Sequence, residues 1–263
     1  MTKGGQRLAF LLCGPSPRSI TQKGFKAAWK KFGLESLEPK LVVEEKGATI
    51  ELGPHKAIVV HAPYRIPNGE AEAYERASAG PYLEYDIPPP HAEHTIVTMG
   101  PRTRTRSKKT DVFKELECFC ALLAALSSCT RAIGVYWGDA GATHSAEFVQ
   151  AVMSEGMPRS LLWTGLSYAK VPQRAGVVSF LSRGLRSLGL KEIEIWASAE
   201  SPREGLEYLF DLANYTVKRG ANVPDRDTCG REPGEKMLVE YVKSPFNAKE
   251  KVCRVRLPAT NES

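Results

Sequence analysis

The segment from Val112 to Leu126 constrains the fold more than any other part of the chain. Val112, Leu116, Phe119, Leu123 and Leu126 recur at heptad-like spacing, with Phe113, Cys120 and Ala124 beside them. The helix they form is apolar over too wide an arc to lie on a surface, so it must sit centrally and be mostly buried. Thr110 or Asp111 supplies its N-cap. Asp111, Lys114, Glu115 and Glu117 break the apolar run upstream, which leaves it short of the roughly 18 residues a membrane span needs.

Around that helix the pattern reads as strands and helices in irregular alternation. Arg7 to Cys13 is a strand rather than a cleaved leader, because Pro15, Pro17 and Arg18 stand where small cleavage-site residues are wanted. Ser19-Ile20-Thr21-Gln22 has the form of a capping box and opens a helix running to Phe32 and ending at Gly33. Lys40 to Glu51 and Lys56 to Ala62 form a hairpin through Gly53-Pro54. Glu70 to Ala79 is a short polar helix, Pro88-Pro89-Pro90 interrupts regular structure, and Thr95 to Met99 resumes as a strand.

Beyond the central helix, Ile133 to Trp137 is a strand and Gly138 to Gly141 a tight turn. Ser145 to Glu155 is an amphipathic helix, and Leu161 to Tyr168 and Val177 to Phe180 are strands. Lys191 to Ala197 alternates as a half-buried strand. Ser201-Pro202-Arg203-Glu204 combines an N-cap Ser, Pro at the first helical position and Glu to close the box, and this helix ends at Gly220. Met237 to Val242 and Lys251 to Leu257 finish as strands. Without a βαβ rhythm, the order favours an α+β fold, a single domain over residues 1–258 with a mostly antiparallel sheet packed against several helices. Residues 259–263 are expected to be a disordered tail.

Of 263 residues, 42% are hydrophobic and 25% charged, so the chain can bury a real core and is not disordered. Its net charge of +6 is local. Arg102, Arg104, Arg106, Lys108 and Lys109 form one run, and without it the chain is about +1. In an extended segment the three arginines project to one side, where phosphates or an acidic protein surface could bind. No aromatic is interleaved to stack a base, and one loop is not the broad basic face a nucleic-acid groove needs, so a solvated loop carries more weight. Six cysteines without C-x-x-C pairs or regular spacing point to a reduced, cytoplasmic protein.

Chemistry concentrates between Gly134 and Ser145, where three glycines, two aromatics, Asp139, His144 and two hydroxyls share a strand-to-helix junction. A Gly-lined turn opening a helix can hold an anion on backbone N–H groups, which makes Trp137, Gly138 and Ser145 binding candidates. Asp139 and His144 are then the candidate acid and base of a small hydrolytic or ligand-handling site. The plainer reading has the glycines making the turn, Trp137 plugging the core, and Thr143 or Ser145 capping the helix. It carries more weight, since one turn with one His is a weak sign of catalysis. P-loop, dinucleotide and G-x-S-x-G fingerprints are absent. His91-Ala92-Glu93-His94 lacks the order and the helix of a zinc motif and reads as a polar, exposed loop. No metal and no cofactor is expected.

The pattern G-V-Y-W-G-x-A-G-x-x-H-S from Gly134, the L-W-T-G-L stretch, R-G-L-R-S-L-G-L-K-E-I-E-I, the Ser201-Pro202-Arg203-Glu204 helix start and Leu209 to Tyr215 resemble the bacterial family called domain of unknown function 4261. The resemblance spans about Ile133 to Leu257, so residues 129–258 form a family-like half and residues 1–128 a looser one. It implies a small cytosolic α+β protein. Some similar proteins are associated with bacterial toxin systems, which implies an immunity-type module that binds and neutralises a cognate toxin or effector. Inhibitors of basic nucleases are expected to be acidic; this chain is basic, so its partner's surface should be neutral or acidic, or Arg102 to Lys109 should lie outside the interface.

Overall fold

A computed structural model describes residues 6–45, 47–102, 111–172, 174–232, 234–245, 247 and 249–258. The fold is α+β, and it divides into two compact units, Met1–Trp163 and Thr164–Ser263. Two sheets stand where one was expected. The tail 259–263 lies outside the described residues.

The first unit runs β1 (Arg7–Cys13), α1 (Gln22–Phe32), β2 (Lys40–Glu44), β3 (Gly47–Leu52), β4 (His55–Ala62), α2 (Glu70–Ala73), β5 (Glu93–Pro101), α3 (Val112–Thr130), β6 (Gly134–Trp137), β7 (Ala142–Ser145), α4 (Ala146–Ser154) and α5 (Ser160–Trp163). Its seven strands are ordered β2-β3-β4-β5-β1-β6-β7, with antiparallel neighbours throughout. The N-terminal strand therefore lies inside the sheet.

Strand alternation sends Ala9, Leu11, Ile50, Ala57, Val59, Val97, Met99, Val135 and Trp137 to an inner face, where all are buried. Helix α3 has thirteen of its nineteen residues buried, and it packs on β1, β6, α1 and α4. That is the central helix its sequence demanded. Asp111 caps it by accepting from Lys114 N–H. One charge enters the core with it: the buried Glu115 carboxylate accepts from Arg7 Nε at 2.6 Å.

Several local expectations shift. Thr21 rather than Ser19 caps α1, accepting from Gly24 N–H. Lys40 to Glu51 is two strands, because the chain turns back at residue 45. The four residues Ala142–Ser145 form a strand, so the Gly138 to Gly141 turn closes a β-hairpin instead of opening a helix directly, with Gly141 at φ 54°. Leu161 to Trp163 coils into α5 before the next strand begins.

The second unit runs β8 (Gly165–Lys170), β9 (Val177–Arg183), β10 (Ile193–Ser198), α6 (Pro202–Arg219), β11 (Thr228–Cys229), β12 (Met237–Lys243) and β13 (Lys251–Arg256). The sheet order is β11-β12-β13-β10-β9-β8, and only β10 and β13 are parallel. Pro202 opens α6 as expected, but the Ser201 side chain makes no capping bond. Helix α6 lies close over β9 and β10 because Gly205 has no Cβ, which would meet the Ala197 side chain at 2.5 Å. Strand β10 is buried on both faces, against the half-buried expectation. Its second face holds Trp196, with the Arg254 guanidinium 4.2 Å from its ring centroid, and Glu194, which pairs with Arg254 at 2.8 Å.

Candidate functional site

The β6–β7 hairpin separates the residues that sequence brought together. Trp137 points to the inner face, edge-on to Phe119 of α3 at 5.1 Å between centroids. Ser145 caps α4, its hydroxyl accepting from Phe148 N–H at 3.2 Å. Asp139 sits at the exposed hairpin tip beside Gly138. His144 is two residue pairs down the ladder, opposite Val135, and is fully buried.

Both His144 nitrogens are committed. Nε2 faces the Leu162 carbonyl at 2.9 Å and therefore carries the proton. Nδ1 accepts from the Ser78 hydroxyl at 2.7 Å, and that hydroxyl accepts from Gly80 N–H at 3.0 Å. Burial pushes the ring pKa down to about 4. This neutral imidazole ties β7 to the 78–80 turn and to α5, with no nitrogen free to take a substrate proton.

His91 and His94 are buried too, against the expectation of an exposed loop. His91 Nε2 accepts from Ile66 N–H at 2.9 Å, and Nδ1–H donates to Glu72 at 2.8 Å. His94 Nδ1–H donates to the Tyr64 carbonyl at 2.7 Å, while Glu93 turns instead to His61 at 3.1 Å. The H-x-E-H cluster is thus distributed over four partners, Ile66, Glu72, Tyr64 and His61. Among the described residues, no group of three or more His, Cys, Asp or Glu is placed to hold a metal ion. Burial raises the thiol pKa of Cys13, Cys118, Cys120, Cys129, Cys229 and Cys253, so none is primed as a nucleophile. Of the basic run, Arg102 is described, with its guanidinium 3.4 Å from Glu51; Arg104, Arg106, Lys108 and Lys109 lie outside the described residues.

What sequence reasoning missed is the outer face of the seven-stranded sheet. In register across five strands stand Val42, Thr49, Ile58, Thr98 and Leu8, and the next row is Glu44, Gly47, Val60, Ile96 and Phe10. The excursion from residue 63 to 92 covers one end of this face. There Ile66, Ala71 and Tyr74 pack on Leu12, Phe10 and Tyr136, with the Tyr74 and Tyr136 rings stacked at 6.0 Å. Tyr136 OH fastens the excursion by donating to Glu70 at 2.7 Å.

The rest of the face is open. Val42 is 59%, Ile58 49% and Val60 42% exposed, on β2 and β4 with Thr49 and Gly47 of β3 between them. Lys40, Glu51 and Lys56 form the adjoining row, and Arg102 on Glu51 makes that end net positive. A clue was present in the run Ile58-Val59-Val60: a strand apolar on both faces must have both faces covered or use one. At the opposite end of the sheet a cleft of about 610 Å³ is lined by Arg18, Glu44, Glu45, His61 and Pro63 among others.

Residues 181–256 match the family model described as domain of unknown function (DUF4261). The chain resembles that family over the stretch from β9 to β13, within the second unit, so the hairpin pattern at Gly134 to Ser145 lies outside the match. No curated protein and no solved structure matches the chain.

Proposed function

We propose that the protein acts by binding a second protein on the open part of the outer face of its seven-stranded sheet. The observation that carries this is the exposure of Val42, Ile58 and Val60 on two strands flanking Thr49 and Gly47 of β3, on a face whose other end is already packed. Exposed β-branched residues cost solvation free energy of about 25 cal/mol per Å², which a partner's apolar surface recovers. Lys40, Lys56 and Arg102 at one end select a partner whose apolar patch is rimmed by acidic residues.

The buried, doubly bonded His144 supports a binding role over a hydrolytic one at the hairpin. The immunity form of the reading, with a toxin or effector as partner, rests on the family resemblance alone. The cytoplasm as its compartment is supported by six unpaired thiols. Among the described residues no helix is long and apolar enough to cross a membrane.

The test is a photo-crosslinking residue placed at position 58 in the native host, with Lys26 on the outside of α1 as the control position. The expected result is one discrete adduct with another protein from position 58, lost when Lys40 and Lys56 are changed to Glu. No adduct, the same adduct from position 26, or an adduct that survives charge reversal refutes the reading.

A further inference from the structure

The six-stranded sheet of the second unit treats its two edges differently. At one end, the chain before and within β11 meets the outward backbone groups of β12. Arg226 N–H donates to the Val239 carbonyl at 2.8 Å, Val239 N–H to the Asp227 carbonyl at 2.9 Å, and Tyr241 N–H to the Asp225 carboxylate at 2.7 Å. At the other end stands β8. Val171 N–H donates to the Val177 carbonyl just beyond it, which fixes the alternation of the β8–β9 ladder. Ser167 and Ala169 turn their backbone groups to β9, and Tyr168 and Lys170 turn theirs outward. Among the described residues, nothing bonds the N–H and C=O groups of Tyr168 and Lys170.

Gly165 and Leu166 are buried, but the strand then comes to the surface: Tyr168 is 46% exposed, and Ala169 and Lys170 are exposed with it. The devices that usually protect an edge are missing over this stretch. It has a regular register without a bulge, no proline, and no charge before Lys170. Pro172, which has no N–H to offer, ends it. The accessible edge is therefore four residues long, Ser167 to Lys170, with two donors and two acceptors facing outward.

We propose that β8 pairs with the β8 of a second copy of this chain, antiparallel and centred on Ala169, so that two six-stranded sheets become continuous. In that register Tyr168 of each copy stands opposite Lys170 of the other, and every outward group is bonded. These opposed side chains share one face, where each ammonium can lie over a phenol ring, and no like charges meet. Ala169, small enough for the closest approach of two antiparallel strands, lies on the two-fold axis. The alternative centre, Tyr168 on Tyr168, would put Lys170 against the buried Leu166. A free peptide fits this edge worse, because ordering its backbone costs more free energy than four main-chain bonds return. A strand already held in a sheet has met that cost. The interface is small, so the dimer is weak, with a Kd on the order of 0.1–1 mM. It lies in the second unit and does not depend on the binding face proposed for the first.

The experiment is disulfide trapping with the full chain. In this register the two Ala169 Cα atoms are about 4.5 Å apart, within reach of a disulfide, whereas the two copies of position 168 or of position 170 are about 8 Å apart, beyond it. With oxidised glutathione as oxidant, Ala169→Cys is expected to give a covalent dimer on a non-reducing gel at about ten times the yield from Tyr168→Cys, Lys170→Cys or the exposed control Lys26→Cys. Adding Lys170→Pro, which removes an outward donor and leaves the β8–β9 ladder intact, should abolish that excess. Sedimentation equilibrium of the unaltered chain at about 0.5 mM should give an average mass above that of the monomer. Ala169→Lys, which sets two like charges on the axis of an exposed strand, should restore the monomer mass. No dimer from position 169, an equal yield from position 26, a greater yield from position 168 or 170, trapping that survives Lys170→Pro, or a monomeric unaltered chain overturns the proposal.

Discussion

Acidification should destabilise the first unit through His144. An imidazole in water titrates near 6.5, whereas burial holds this ring at about 4. Between those values the unfolded chain binds a proton that the folded protein refuses, so stability falls as the pH falls. The contribution is complete above pH 6.5 and is lost through the window from 6.5 down to 4. Linkage gives a loss of about 2 kcal/mol between pH 7 and pH 5, and about 3 kcal/mol by pH 4. His55 and His94, also lowered by burial, add losses of the same sign, so the His144 share must be isolated by difference.

The variant for that purpose is His144→Gln, which cannot titrate and keeps an amide donor for the Leu162 carbonyl. Urea denaturation at pH 7, 6 and 5, followed by tryptophan fluorescence, reports mainly on the right unit, because Trp29, Trp137 and Trp163 share it with His144. At pH 7 the variant should be less stable by about 1–3 kcal/mol, having lost the Ser78 and Leu162 bonds. At pH 5 that deficit should have shrunk by about 2 kcal/mol. A deficit constant to within about 0.5 kcal/mol across the range would mean that the folded ring is free to protonate, and the sealed, neutral imidazole would be wrong.

Removing one partner of the Arg7–Glu115 pair, by Arg7→Met or Glu115→Gln, should cost about 3–5 kcal/mol in urea denaturation, and the double change to leucine much less than the sum. In native protein at pH 8, iodoacetamide should label Cys129 and Cys229 slowly and leave Cys118, Cys120 and Cys253 untouched by mass spectrometry, because burial pushes Cys118 and Cys253 up to about 12. Ile58→Ser should change stability by less than about 0.5 kcal/mol while abolishing partner capture.

The periodic signals in the chain translated well into elements. Helix α3 was legible because its apolar arc was wider than any surface helix tolerates, and β1 because prolines followed it at once. Ser145 as a cap and Trp137 as a core plug were legible from residue type and position. What failed were inferences that needed a third dimension. His144 looked like half of an acid–base pair because sequence places Asp139 five residues away, but the turn sends one to a solvent-exposed tip and the other into the interior. Strand β7 was hidden because Ala-Thr-His-Ser has weak strand propensity and exists through its pairing with β6. The box at Ser201 had every residue type in place, and only the backbone angles at Ser201, φ −129° and ψ 57°, show why its hydroxyl does not cap.

A sheet can take a partner in two ways, at an edge or on a face. A strand added at an edge needs free backbone groups, and both edges of the seven-stranded sheet are managed. At β7, Thr143 N–H donates to the Tyr74 carbonyl and its hydroxyl to Ala71, so the excursion occupies that edge. At β2, the Gln22 side chain donates to the Leu41 carbonyl, and charged Lys40 and Glu44 bracket a strand of five residues. On the face, Val42, Ile58 and Val60 are exposed, with Thr49 as the polar residue between the strands that carry them. On the binding role proposed above, a sheet that blocks its edges and leaves an apolar face open would take its partner through side chains. The decisive contrast is therefore between Ile58 on the face and Leu41 on the edge: proline at position 41 should leave partner capture intact wherever the protein still folds, whereas serine at position 58 should not.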